Sequence, residues 1–570
     1  MSFENGTTDE PSRYLNGEGC QGRARTKGGT GSPQSLAPGQ RVGGVSGGGG
    51  LGRGDGISWE TCPRAAALGA AATTGSSPTS SDKAGRAGAG VGDLHSSVEV
   101  RDSITRAERR EGTYANAHQR SAGPENQDDG RGDDLWIKTS LKVRKLQRAL
   151  YRKAKAEPRW RFYSLYGELL REDLLADALA AVMKNDGVPG VDGCELEPLK
   201  EDATVRAKWL AALAAELKSK SYVPSPVLRV YLWKDAAKTK RRPLGIPTVK
   251  DRVVQTAMAI LLQPIMEADF HDHSYAYRPR RNTKQAMDTI KEALLSGRTE
   301  VVDADLSSYF DTIPHPALMR RVARRVSDGA ILKLIKAWLR APIVEEDRKS
   351  GTRKVTPNPR GTPQGGVISP LLANLYLDPL DHAVNERCEL QPVMVRYADD
   401  LVILARPGQG AGLRERLQHW TQARGLTLNE EKTRLVDYRQ EGFAFLGFSV
   451  SRRLSQKGRY YPHVEPSAKS CGNLRGKVRE LLEVRTRNQP TDEVVAHLNQ
   501  VTQGWARAFH YGNSTAKFDS LQHYVRQTLR RWLWRKHGRT RAQYGHYTNN
   551  RLHEHYGLWS WPLHAAWKKT

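Results

Sequence analysis

Up to about residue 130 the apolar positions follow no period: Gly, Ser, Thr, Ala and Arg dominate and aromatics are few. Such a stretch cannot bury enough apolar surface to offset chain entropy, so a low-complexity, disordered tail is predicted for residues 1–130. From Leu135 onward the pattern sharpens. Leu141–Ala156 has a basic helical period, and in Arg171–Met183 the residues Leu174, Leu175, Ala178 and Ala181 recur at helical spacing. Val227–Trp233 alternates like a strand, and Lys234–Arg242 is a basic loop. Thr248-Val-Lys-Asp251 reads as a capping box opening an apolar helix over Arg252–Gln263. A strand at 301–305 precedes helices at 315–326 and 330–340. A glycine-rich loop, 361–368, leads into a helix with Ser369 as N-cap and Pro370 at its first position. Two apolar strands, Pro392–Arg396 and Leu401–Ala405, flank a short polar turn. Gly412–Ala423 is helical and Phe443–Val450 is a strand. After residue 466 or so the pattern becomes helical: 474–486, 492–510 and 514–536.

The formal charge is +27. Residues 1–130 hold 14 Lys+Arg against 15 Asp+Glu, so the patterned remainder carries +28. A field of that size favours a polyanion, most simply nucleic acid, over a small neutral substrate. Five scattered cysteines, Cys20, Cys62, Cys194, Cys388 and Cys471, form no C-x-x-C pair, which argues against a zinc ribbon or a disulfide framework and fits a reducing cytoplasm. No run of 18 apolar residues predicts a membrane span, and Met1–Asn5 does not read as a secretory signal. The glycines of Gly47–Gly54 follow no strand and precede no helix, so they do not make a phosphate loop.

The chemistry lies at two acidic strand ends. Val301-Val-Asp-Ala-Asp305 and Tyr397-Ala-Asp-Asp400 are far apart in sequence, and each places carboxylates where a strand stops. Magnesium takes hard oxygen ligands, usually a few carboxylates plus substrate phosphates. Two such ions clamp the attacking and leaving oxygens of a phosphoryl displacement. The residues alone therefore point to a nucleotidyl transferase. Asp303 shares a strand face with Asp305 through the two-residue period and is read as structural or supporting. His271 and His273 flank Asp272, but no third ligand stands at short spacing, so they are read as surface or core histidines.

Seven motifs in order carry a resemblance: Pro189-Gly-Val-Asp-Gly193, Pro243-Leu-Gly-Ile-Pro247, Ser274-Tyr-Ala-Tyr-Arg-Pro279, Asp303-Ala-Asp-Leu-Ser-Ser-Tyr-Phe310, Thr362-Pro-Gln-Gly-Gly-Val-Ile-Ser-Pro370, Tyr397-Ala-Asp-Asp400 and Phe445-Leu-Gly-Phe448. From about residue 140 onward the chain resembles the reverse transcriptases, or maturases, encoded by bacterial group II introns. The resemblance implies an α+β right-hand polymerase. Fingers and palm, with an antiparallel palm sheet, are expected at 136–450, and an α-helical thumb and maturase domain at 451–570. It implies that Asp305, Asp399 and Asp400 are catalytic and hold two Mg²⁺ together with the Leu306 carbonyl. Phe310 matches the bulky residue beneath the incoming sugar, where a ring excludes a 2′-hydroxyl; the alternative is an ordinary core Phe. Lys234 and Arg242 match the residues that grip the triphosphate, unless the loop is simply a solvated basic one. Gln364 matches a residue beside the nucleotide.

Arg252 and Arg278 are expected to touch the template or to be structural. In the last long helix, Arg526, Arg530, Arg531, Arg535 and Lys536 interleave with Trp532 and Trp534. The basic face is expected to meet intron RNA while the tryptophans are mostly core. Implied partners are the intron RNA, target DNA with its primer, and deoxynucleotides, in a bacterial cytoplasm near the nucleoid. No paired cysteines follow the maturase pattern, so no zinc-bearing endonuclease is expected. Two rival readings use the same residues: a catalytically relic maturase acting only as an RNA-binding splicing factor, and a related reverse transcriptase recruited to phage defence.

Overall fold

The computed structural model describes residues 137, 139–233, 239, 241–347, 351–538 and 545–562. The expected tail at 1–130 and the basic residues Lys234, Lys238 and Lys240 lie outside them.

The first helices, α1 (Leu141–Ala156), α2 (Glu172–Asn185) and α3 (Ala203–Lys218), precede the long helix α4 (Val249–Glu267). Of the 19 residues of α4, 16 are buried, as expected for a helix apolar all round. α1 and α2 pack on it. Thr248 caps α4 by accepting the Asp251 N–H, but Asp251 does not complete the box. Its carboxylate instead accepts from the Tyr222 hydroxyl (2.5 Å), the Ser225 N–H (3.1 Å) and Thr248 Oγ1 (2.8 Å), tying α4 to the chain that enters the first sheet.

That sheet has the order β2-β1-β4-β5, with β1 Val227–Trp233, β2 Arg241–Ile246, β4 Ile343–Glu346 and β5 Arg353–Thr356. The second sheet, order β6-β7-β3-β8, is antiparallel throughout: β3 Glu300–Asp305, β6 Val393–Tyr397, β7 Asp400–Ala405 and β8 Arg434–Asp437. Both of its faces are covered. Val302, Ala304, Leu401 and Ile403 join a core with α6 (His315–Ala323), α7 (Gly329–Arg340) and α8 (Ser369–Asn385), whereas Val301, Val402 and Leu404 join another with α5 (Thr283–Leu295). Double coverage explains why β7 reads as one continuous apolar run. Helix α9 (Gly410–Gln422) lies against β3 and β7.

Other elements also depart from the sequence expectation, among them Arg241 and Arg242, which open β2 rather than close a loop. Ser369 is not the N-cap of α8. Ile368, already helical (φ −83°, ψ −16°), takes that place, and Ser369 Oγ donates to the Pro363 carbonyl at 2.9 Å, folding the glycine loop onto its helix. The expected strand 443–450 is two strands, β9 (Phe443–Phe445) and β10 (Phe448–Leu454), joined through Leu446 and Gly447, both at positive φ (50° and 81°), the arrangement of a type I′ turn. β-structure then continues past residue 451, because β10 also pairs with β11 (Tyr460–Pro466).

Beyond β11 come α10 (Ala468–Leu481), α11 (Thr491–Phe509) and α12 (Thr515–Lys536). They share an aromatic core in which Trp505 lies 5.5 Å from Phe518 and 5.8 Å from Trp561. Each large side chain fully buried there contributes roughly 1.5–3 kcal/mol.

Candidate active site

The register of the second sheet sets Asp305, the last residue of β3, directly opposite Asp400, the first of β7. Tyr397 pairs with Asp400 across the β6–β7 hairpin, which leaves Ala398 and Asp399 as its two-residue turn. Ala398 has φ +61°. Three carboxylates thus meet at one corner of the sheet, with Asp400 within electrostatic reach of both Asp399 and Asp305. Burial, then repulsion from Asp399 and Asp305, pushes the Asp400 carboxyl up to about 7. Asp399 is raised by burial and by Asp305, and lowered by Arg242 and Lys432. Asp400 nevertheless retains exposed surface, so solvent reaches the crowded carboxylates.

Lys432 and Asn429 complete this corner and were not identified from sequence. Lys432 Nζ donates to Asp305 Oδ2 at 2.7 Å, and Asn429 N–H donates to the Asp305 carbonyl at 2.8 Å. They lie in Leu428-Asn-Glu-Glu-Lys-Thr433, a polar loop before β8 whose sequence carries no sign of a partner more than a hundred residues upstream. Tyr277 was also missed. It sits at φ +57°, and burial, then Asp399, pushes its phenol up to about 12. Asp303 pairs with Arg434 at 3.6 Å and is raised by burial.

The floor of the site is built by loops pressed together. After Asp305 the buried Leu306 bridges to Leu428, and Ser308 (φ +46°) turns the chain into a short helix carrying Phe310. The half-buried Phe310 ring meets Tyr309 at 5.6 Å, and its carbonyl accepts from the Thr362 N–H at 2.6 Å. Gln364 hydrogen-bonds through its carbonyl to the Gly245 N–H on β2. Gly365, next in the chain, adopts φ +103°, and a Cβ there would collide with the Gly245 carbonyl, so only glycine fits. Arg229, Pro243, Gly245, Asp311, Pro363 and Gln364 line one groove. Arg242 pairs with Leu232 on β1 and stands within electrostatic reach of Asp399.

Other basic residues are used internally. Arg278 is buried and binds Glu267 (2.7 Å) and the carbonyls of His271 and Ser274 (2.5 and 2.6 Å), while Arg252 donates to the Val188 carbonyl at 2.7 Å. On α12 the set divides. Arg531 and Arg535 are exposed. Arg526 donates to His553, Arg530 to the Tyr547 carbonyl, and Lys536 to the carbonyls of Arg487 and Gln489. Trp532 is buried and Trp534 half-buried. His271 and His273 pack with His382 of α8, ring centroids 4.9 and 5.4 Å from that of His271.

Among the described residues no group of three or more His, Cys, Asp or Glu side chains is arranged to hold a metal ion by itself. The donor chemistry at the acidic corner nonetheless fits magnesium. All its donors are hard oxygens, the carboxylates repel one another without a cation, and Mg²⁺ ordinarily keeps waters and substrate phosphates among its ligands rather than a full protein cage.

Residues 233–450 match the family described as reverse transcriptase (RNA-dependent DNA polymerase), and residues 472–550 match the group II intron maturase-specific domain. Protein YkfC of Escherichia coli is 34% identical over 355 residues, covering 55% of this chain and 90% of that protein. The chain belongs to the group II intron reverse transcriptase/maturase family. The group II intron-encoded protein LtrA of Lactococcus lactis is 36% identical over 230 residues, covering 39% of this chain and 35% of LtrA. A telomerase structure from Candida albicans overlaps 59% of the chain and 66% of its own at 12% identity, with a TM-score of 0.34. A Cas6-RT-Cas1–Cas2 complex overlaps 45% and 42% at 21% identity, with a TM-score of 0.29. Membership makes this reverse transcriptase/maturase an RNA-directed DNA polymerase. No helix among the described residues is long and apolar enough to cross a membrane.

Proposed function

We propose that Asp305, Asp399 and Asp400 form the catalytic centre at which a DNA primer is extended on the protein's own group II intron RNA. The meeting of the two acidic strand ends across one ladder carries this reading. Asp305, Asp399 and Asp400, with the Leu306 carbonyl, would hold two Mg²⁺. Bound there, the ions supply positive charge that lowers the pKa of the primer 3′-hydroxyl and neutralises the triphosphate. The chain's own residues position the reactants. Arg242, with Lys234 outside the described residues, grips phosphate; Phe310 closes the space beneath the sugar against a 2′-hydroxyl; and Gln364, fixed to β2, borders the incoming nucleotide. Lys432 balances Asp305 and keeps the carboxylates together before substrate arrives.

The exposed Arg531 and Arg535 of α12 are proposed to contact intron RNA. Joined to the maturase-domain match, this supports help with folding and splicing of that RNA, followed by its insertion into DNA by target-primed reverse transcription. The protein then works in a ribonucleoprotein associated with the bacterial nucleoid. The test is extension of a DNA primer on the flanking intron RNA with deoxynucleotides and Mg²⁺. Wild-type protein extends the primer and Asp399→Ala does not; equal extension by both removes the assignment of this site.

A further inference from the structure

We propose that Arg396 is a positioning residue for the Tyr397–Asp400 turn: its buried guanidinium holds Ala398 in the left-handed conformation and so sets where Asp399 and Asp400 present their carboxylates. The inference rests on the catalytic reading of those two aspartates.

Arg396 ends the apolar run of β6 and is fully buried. Its five N–H donors all find acceptors. Nε and one Nη2 hydrogen bind Asp381 (2.8 and 2.5 Å), the other Nη2 hydrogen binds Ser274 Oγ (2.7 Å), and Nη1 binds Asn374 Oδ1 (2.9 Å) and the Ala398 carbonyl (3.1 Å). Each partner is itself buried. Asp381 and Asn374 lie two turns apart on α8 and are 1% exposed; Ser274 is 0% exposed. Asn374 is fixed by donating to the Ala276 carbonyl at 2.7 Å. On the main chain, the Arg396 N–H donates to the His273 carbonyl and its own carbonyl accepts from the Tyr275 N–H, both at 2.9 Å. One side chain therefore joins the turn to the Ser274–Pro279 segment and to the helix that follows the glycine loop.

Ala398 is the residue this network restrains. At φ +61° its Cβ crowds the backbone, a conformation that non-glycine residues rarely adopt without surrounding restraint. The bond from Nη1 to its carbonyl is that restraint. A buried ion pair is a weak source of stability compared with apolar packing, so Arg396 at this point is better explained by geometry than by folding energy. Lysine would keep the charge opposite Asp381 but cannot fork to Asn374, Ser274 and Ala398 at once.

The experiment uses the full chain and an RNA template with a DNA primer. Arg396→Lys and Ser274→Ala are each made with and without Ala398→Gly, which removes the Cβ that disfavours the turn. Measured are the single-turnover extension rate, the Mg²⁺ concentration for half-maximal rate, and template–primer affinity. Arg396→Lys is expected to lower the rate by about tenfold or more and to raise the Mg²⁺ requirement, with template–primer affinity unchanged. Ser274→Ala shifts both in the same direction by about threefold, and adding Ala398→Gly recovers rate in each background. If Arg396→Lys does not fold, the Ser274→Ala pair decides alone. Wild-type rates in the folded variants, or losses that Ala398→Gly leaves untouched, overturn the positioning role. A wild-type protein that fails to extend overturns the catalytic reading and this inference with it.

Discussion

Replacing Gly365 by alanine tests whether the glycine loop is held against the first sheet by backbone contact. At φ +103° any L side chain is strained, which costs about 1–2 kcal/mol. The new Cβ would lie 3.0 Å from Leu244 Cδ1 and 3.2 Å from the Gly245 carbonyl carbon, and closer still to the Gly245 oxygen. The loop can relieve this only by backing away from β2, which breaks the bond from the Gly245 N–H to the Gln364 carbonyl at a cost of about 1 kcal/mol. The sum, about 2–3 kcal/mol, is smaller than the stability of an ordinary domain. The protein should therefore remain folded with Gln364 displaced. Thermal unfolding followed by circular dichroism is expected to show a lowered Tm, and steady-state primer extension a KM for deoxynucleotide raised about tenfold or more. Gly458→Ala is the control. Gly458 also has positive φ (+70°) but open space around it, so it should cost Tm only and leave KM alone. If Gly365→Ala keeps both Tm and KM, the loop is not held as described.

Arg531 and Arg535 are exposed on α12, so replacing both by alanine should lower the slope of log affinity for intron RNA against log salt by roughly 1.4–1.8, read by filter binding over a salt series. Lys536→Ala should instead lower Tm, because its ammonium already bonds two carbonyls at 2.5 and 2.6 Å; a lowered slope with unchanged Tm would reverse this division of α12. His382 is raised to about 9, chiefly by its hydrogen bond to Asp378. A folded value above the unfolded 6.5 means its stabilisation is complete below about pH 6.5 and lost as pH rises through 9. His382→Gln should therefore cost about 1–3 kcal/mol in urea unfolding at pH 6 and much less at pH 9.5, whereas a pH-independent difference would place the loss in packing.

Much of the architecture could be read along the chain because burial imposes a period. Val301, Val302 and Ala304 alternate between two cores, and the apolar run of β7 follows from cover on both faces. The meeting of the two acidic strand ends was expected on other grounds, because paired carboxylates at strand ends suit shared divalent ions, and the β3–β7 register sets Asp305 opposite Asp400. What escaped lies where tertiary contact, not local pattern, decides. β5 is exposed along its whole length, so Arg353-Lys-Val-Thr356 offered no buried face to recognise. Leu446-Gly447 lacks the Asn-Gly signature of its turn type, and the hairpin looked like one strand. Lys432 is brought to Asp305 by the pairing of β8 with β3, more than a hundred residues away in the chain. The basic run of α12 showed its charges but not that the Arg487 and Gln489 carbonyls already occupy Lys536.

Asp305 and Asp399 are proposed to act as one site. Single-turnover extension of a DNA primer on RNA by Asp305→Asn, Asp399→Asn and the double variant addresses this directly. Groups that act as a unit give non-additive losses, so each single substitution should cost about a thousandfold and the double scarcely more. Losses that multiply in the double variant, or a wild-type rate in Asp305→Asn, would contradict the account.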